Sequence, residues 1–242
     1  MRVALISDLH GNLVALEAAL AELDRRGVDR IISLGDVATL GPHPAEVLDC
    51  LAQRGIPSVL GNHDEFLLEP ELIQRYTEAK IVRDAVDWCR SALSAPSLDQ
   101  VRGFVRGMEL DLGFGATLSL FHGSPRSHME DILATTPAEE LDRFLDGKVA
   151  TVLAGGHTHL QMLRQHRGML IVNPGSLGMP FKEYVGGRAP VVLPHAELAI
   201  VDARPSGVSV ELCRVPLEKR ALREAATSVR FPFSGPLSAA YA

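Results

Sequence analysis

Short apolar runs alternate with stretches of helical period along the first half of the chain. Val3, Ala4, Leu5 and Ile6 form an unbroken apolar run, as expected of a strand buried on both faces. After Gly11, residues Leu13, Leu16, Leu20 and Leu23 recur at helical spacing, with Asn12 placed as N-cap and Gly27 as stop. Residues 31–34 predict a second strand. A helix follows, with Pro44 in its first turn and Val47, Leu48 and Leu51 on its apolar side. Residues 58–60 predict a third strand, and 65–102 read as helical, punctuated by Pro96, with Trp88 and Leu93 facing inward. A helix over 136–145 and strands at 117–121, 150–154, 170–172, 197–201 and 208–212 complete the pattern. This alternation predicts an α/β layered fold. No repeat or linker interrupts it, so one domain over 1–242 is expected, with residues 231–242 as a loosely held tail.

Composition narrows the function classes. The 242 residues are 46% hydrophobic and 22% charged, which excludes disorder as the main state. The formal charge of −6 argues against a broad nucleic-acid surface. Cys50, Cys89 and Cys213 lie far apart with no C-x-x-C spacing, which suits a reducing compartment and opposes a zinc-thiolate site. No apolar run reaches the ~18 residues of a membrane span, and Ser7 and Asp8 cut short the apolar start. A cytoplasmic location with no membrane partner is the expectation.

The chemistry gathers where apolar runs end. These endings read Asp8-Leu9-His10, Gly35-Asp36, Gly61-Asn62-His63-Asp64, Phe121-His122-Gly123 and Gly155-Gly156-His157-Thr158-His159. Ligands of open α/β sheets collect outside the carboxyl ends of strands, so repeated endings of this kind mark a site. Asp8, His10, Asp36, Asn62, His122, His157 and His159 offer oxygen and imidazole donors without thiolate, a set suited to Mn, Fe or Zn. They are more donors than one tetrahedral ion takes, and two ions sharing a carboxylate could use all of them.

Taken in order, D-x-H-G-N, G-D, G-N-H-D, H-G and G-H-T-H resemble the calcineurin-like metallophosphoesterase superfamily, and the later Asn173-Pro174-Gly175-Ser176 resembles its small bacterial members. The resemblance implies a four-layer α/β/β/α sandwich of two mixed sheets flanked by helices. It implies two divalent ions, one held by Asp8, His10, Asp36 and His159, the other by Asp36, Asn62, His122 and His157, with Asp36 bridging. A shared carboxylate offsets repulsion between cations, and a hydroxide bridging them is nucleophilic at neutral pH. His63 is then the candidate general acid for the leaving oxygen. The expected activity is hydrolysis of a small phosphodiester. The alternatives are a phosphomonoesterase acting on a nucleotide or phosphoprotein, and a protein-binding module on the same fold, as in a retromer subunit.

One departure from the wider superfamily bears on substrate. Where protein phosphatases read G-D-x-x-D-R-G, this chain has Thr39 for the Asp that orients the catalytic His and Leu40 for the phosphate-binding Arg. His63 therefore needs another orienter, and the phosphate another cation. Arg126, four residues after His122, is the candidate substrate-binding cation. Asp64 reads as a helix cap, Asn12 as an N-cap that steadies the Asp8–His10 loop, and His43, His166 and His195 as surface or loop histidines.

Overall fold

The computed structural model describes residues 1–242 apart from 185 and 187. One four-stranded sheet has the order β2-β1-β8-β9, formed by β1 (Arg2–Ile6), β2 (Arg30–Ser33), β8 (His195–Arg204) and β9 (Gly207–Pro216). The second has five strands ordered β3-β4-β5-β7-β6. These are β3 (Met108–Gly113), β4 (Ala116–Leu120), β5 (Val152–Ala154), β6 (Gln161–His166) and β7 (Met169–Pro174). Both sheets are mixed: β1 pairs parallel with β2 and antiparallel with β8, while β5 lies parallel between β4 and β7.

Strand β1 shows why its sequence is apolar without a break. Val3 and Leu5 point between the sheets, where they meet Leu118, Leu120, Val152 and Val172 of the second sheet. Ala4 and Ile6 point the other way, onto Leu16, Leu20 and Leu23 of α1 (Leu13–Arg26) and Leu48 of α2 (Pro44–Gln53). Helix α1 starts where Asn12 Oδ1 accepts from Ala15 N–H at 3.1 Å. It ends at Gly27, whose φ of 65° turns its N–H back to Leu23 and Asp24 carbonyls. The outer face of the second sheet is covered by Leu141 and Leu145 of α7 (Ala138–Leu145), packed on Phe121, Leu153 and Ile171. Helices therefore flank both sheets, giving the expected four layers.

Several expectations are corrected. Residues 58–60 make only isolated bridges, Ser58 to Ser33 and Val59 to Val105. The stretch 65–102 divides into α3 (Asn62–Leu68), a 3-10 turn (Pro70–Leu72), α4 (Ile73–Tyr76), α5 (Lys80–Ala92) and α6 (Ala95–Arg102). Strands β3 and β6 escaped the pattern because they are the edges of their sheet and carry polar residues on exposed positions. The tail is not loose. After α8 (Lys219–Ser228), α9 (Ser234–Ala240) folds back, and Phe231, Leu237 and Tyr241 are buried against Leu40, Phe66 and Met179. No described helix is long and apolar enough to cross a membrane.

Candidate metal centre

The parallel strands deliver their carboxyl ends to one place. Asp8 and His10 follow β1, Asp36 follows β2, His122 follows β4, His157 and His159 follow β5, and Asn62 opens α3. Asp8, His10, Asp36, His157 and His159 all have left-handed backbone, with φ of 53°, 45°, 56°, 69° and 58°. Such conformations cost non-glycine residues ~1–3 kcal/mol each and persist only where the surroundings fix them. Here the loops fix each other: Asp8 N–H donates to Gly35 O and His10 N–H to Asp36 O, both at 2.9 Å. Behind them Ser176 Oγ donates to Asp8 O at 2.7 Å, and Asn12 Nδ2 donates to Gly178 O at 2.9 Å. Glycine is required at two close approaches. A Cβ on Gly61 would lie 2.1 Å from Asp36 Oδ1, and one on Gly156 would lie 1.9 Å from Ser7 Oγ.

Two buried triads result, Asp8–His10–His159 and Asp36–His122–His157, each with its ligand atoms within 4.8 Å of one another. In the first, His159 Nε2 stands 3.3 Å from Asp8 Oδ1 and 3.0 Å from His10 Nε2. In the second, His122 Nε2 stands 3.4 Å from Asp36 Oδ2 and 3.1 Å from Asn62 Oδ1. The triads touch through Asp36, whose Oδ2 is also 3.8 Å from His10 Nε2. Outer groups aim the imidazoles: the Nδ1 atoms of His122 and His159 donate to Leu34 O and Met179 O, both at 2.7 Å, leaving Nε2 toward the centre. Thr39 Oγ1 lies 3.2 Å from His10 Nδ1, so it serves His10 and not His63.

The electrostatics suit cations. Burial resists ionisation of Asp8, yet the adjacent charge of His159 holds its carboxyl at about 2. Burial opposes a charge on His122 too, but Asp36 carries it up to about 10. His10 is pushed down to about 3 and His157 to about 4, in both cases by burial first and a neighbouring histidine second. Asp8 Oδ1 is buried without a hydrogen bond, an orphan acceptor of the kind a metal ion satisfies. The oxygen and imidazole donors therefore fit two divalent ions, while all three cysteines are free.

The residues around the triads divide sharply. His63 is buried beside them, its ring edge-on to His10 at 5.2 Å and to Tyr76 at 5.8 Å, with Nδ1 unpartnered. The Phe66 ring also packs edge-on to His63, at 5.1 Å. Asp64 lies inside its helix, and its carboxylate accepts from Asp36, Val37 and Gly61 N–H at 2.8, 2.8 and 3.0 Å. Arg126 is not brought to the centre: its guanidinium pairs with Glu130 and lies 5.7 Å from the Phe144 ring centroid, on the helix-covered side of the sheet. Leu40 is buried among α9 and Phe66 rather than facing phosphate. His166 is buried against Asp142 at 2.7 Å and His195 pairs with Glu197 at 3.0 Å, so both are structural. Sequence reasoning missed Asp131, whose Oδ1 stands 3.5 Å from His157 Nε2, and Tyr76. Neither residue stands at a strand end or in a motif.

The family model for the calcineurin-like phosphoesterase superfamily domain matches residues 1–191. Uncharacterized protein MJ0912 of Methanocaldococcus jannaschii is 28% identical over 193 residues, 74% of this chain and 76% of its own. The crystal structure of a metallophosphoesterase from Sphaerobacter thermophilus is similar at TM-score 0.73 and 26% identity, covering 99% of this chain and 100% of that one. Hypothetical protein PH1004 from Pyrococcus horikoshii OT3 shares the fold at TM-score 0.80 and 20% identity, covering 98% and 96%. With its motifs meeting in two buried triads at the strand ends, the chain belongs to the calcineurin-like phosphoesterase superfamily.

Proposed function

We propose that this chain is a hydrolase of small phosphodiesters that works with two divalent metal ions, Mn, Fe or Zn. The observation that carries the reading is the pair of buried triads meeting at Asp36, with every ligand position filled. We assign one ion to Asp8, His10, Asp36 and His159 and the other to Asp36, Asn62, His122 and His157. Ions bound there would bring the pKa of water toward neutrality and polarise phosphoryl oxygens, with Asp36 offsetting their mutual repulsion. A protein-binding module would not need this complete donor set.

Within this reading His63 delivers a proton to the leaving oxygen. Burial lowers its pKa, which weakens it as a base in the free fold, and the proton it delivers is drawn from solvent once the anionic ester is in place. The diester preference rests on charge. Leu40 is buried and Arg126 is tied to Glu130, so neither adds a fixed cation for a dianionic phosphate. The separate free cysteines suit a reducing compartment, and we read the protein as cytoplasmic. Metal-loaded protein should hydrolyse a diester with higher kcat/KM than a monoester of the same leaving group. A monoester preference would overturn the diesterase reading and favour the phosphomonoesterase.

A further inference from the structure

We propose that Asp131, pinned by Tyr184, is a specificity-determining residue that discriminates against dianionic phosphomonoesters by its negative charge at the mouth of the centre. This inference rests on the phosphodiesterase reading above.

Two segments remote in sequence meet there. Asp131 comes from the loop between β4 and α7, and its side chain is 40% exposed, so it faces solvent and not the core. Its Oδ1 stands 3.5 Å from His157 Nε2, yet it belongs to neither triad. Tyr184 comes from an arm after β7 that is closed by Lys182 N–H to Val191 O at 2.9 Å and Leu193 N–H to Pro180 O at 2.8 Å. The arm is rooted on a ligand, since Phe181 N–H donates to His159 O at 3.2 Å and its ring stacks on His159 at 4.2 Å. From this arm the Tyr184 hydroxyl donates to Asp131 Oδ2 at 2.7 Å.

The pinning matters because a partly exposed aspartate would otherwise swing toward water. Among the described residues, Asp131 contacts His157 and the Tyr184 phenol and forms no ion pair with a lysine or arginine. Glu65, by contrast, is matched by Arg106 at 2.8 Å and His128 at 2.9 Å. Asp131 is thus a carboxylate fixed next to a ligand nitrogen without a strong cation of its own. A phosphoryl group engaged beside His157 would lie within a few ångströms of it. One extra negative charge on the ester then meets a repulsion worth on the order of tenfold in rate at a partly screened rim.

The test compares kcat/KM for 4-nitrophenyl phosphate and methyl 4-nitrophenyl phosphate, which share a leaving group, on metal-loaded wild type, Asp131→Asn, Asp131→Glu and Tyr184→Phe. Asp131→Asn should raise the monoester-to-diester ratio about tenfold. Asp131→Glu should keep the wild-type ratio, and Tyr184→Phe should move it part of the way. An unchanged ratio in Asp131→Asn would overturn the inference. So would a loss of bound metal in that variant, because Asp131 would then be a ligand. If wild type itself prefers the monoester, the diesterase reading fails, and Asp131 is still judged by whether its variant shifts the ratio.

Discussion

The carboxylate of Asp64 holds the loop of Asp36, accepting the backbone N–H of Asp36 at 2.8 Å and of Val37 at 2.8 Å. A third bond, from Gly61 N–H at 3.0 Å, ties the same group to the start of α3. One buried side chain therefore joins the loop that offers the shared carboxylate to the loop that offers Asn62. Asp64→Ala leaves those donors without a partner, at ~1–3 kcal/mol each where water cannot replace it. We expect at least about 3 kcal/mol of lost stability and weaker metal binding, while Asp64→Asn, keeping one acceptor, loses less. Denaturant titration of the metal-free proteins reads this directly. A stability within ~1 kcal/mol of wild type for Asp64→Ala would remove Asp64 from this role.

Metal loading should release protons. In the metal-free fold His122 stays protonated up to about 10, although burial opposes it, because Asp36 lies against it. His159 is likewise raised, by Asp8 against burial, whereas burial lowers His10 to about 3 and His157 to about 4, so both are neutral at pH 8. Metal must displace the proton on His122 Nε2, so affinity should rise with pH as far as about 10. Calorimetry at pH 8 in buffers of different ionisation enthalpy should find about one proton or more released per chain. Release of none would contradict the His122 assignment.

His63→Ala should keep its metal content and lose roughly 10²-fold or more in turnover. The loss should shrink for esters with good leaving groups, which need little protonation. An equal loss on good and poor leaving groups would leave His63 a positioning role alone.

Arg126→Ala should change little. Its pairing with Glu130 is surface-exposed, and such pairs contribute ~0–1 kcal/mol. We expect kcat/KM within about twofold of wild type on monoester and diester alike. A selective fall on monoesters would restore Arg126 to the substrate site.

Most of the candidate ligands were legible because their motifs couple a strand end, a glycine and a donor. Asp36 needs Gly61 beside it, and Asp8 needs Gly156, so the spacing records the geometry. Arg126 misled because closeness in sequence to His122 does not set direction; Glu130, four residues on, captures it. Asp131 and Tyr184 could not be read, since they meet across 53 residues and neither stands in a motif. The tail misled by composition: its serines and prolines suggested a loose end, while Phe231, Leu237 and Tyr241 carried the packing.

The central claim is that two metal ions share Asp36, and counting them tests it most directly. Chelator-stripped protein would be titrated with Mn(II) while bound metal and diester hydrolysis are followed together. Wild type should bind two equivalents, with activity saturating at the second, and Asp36→Asn should lose both. Saturation at one equivalent, or an Asp36→Asn variant that still binds two and stays active, would contradict the shared centre.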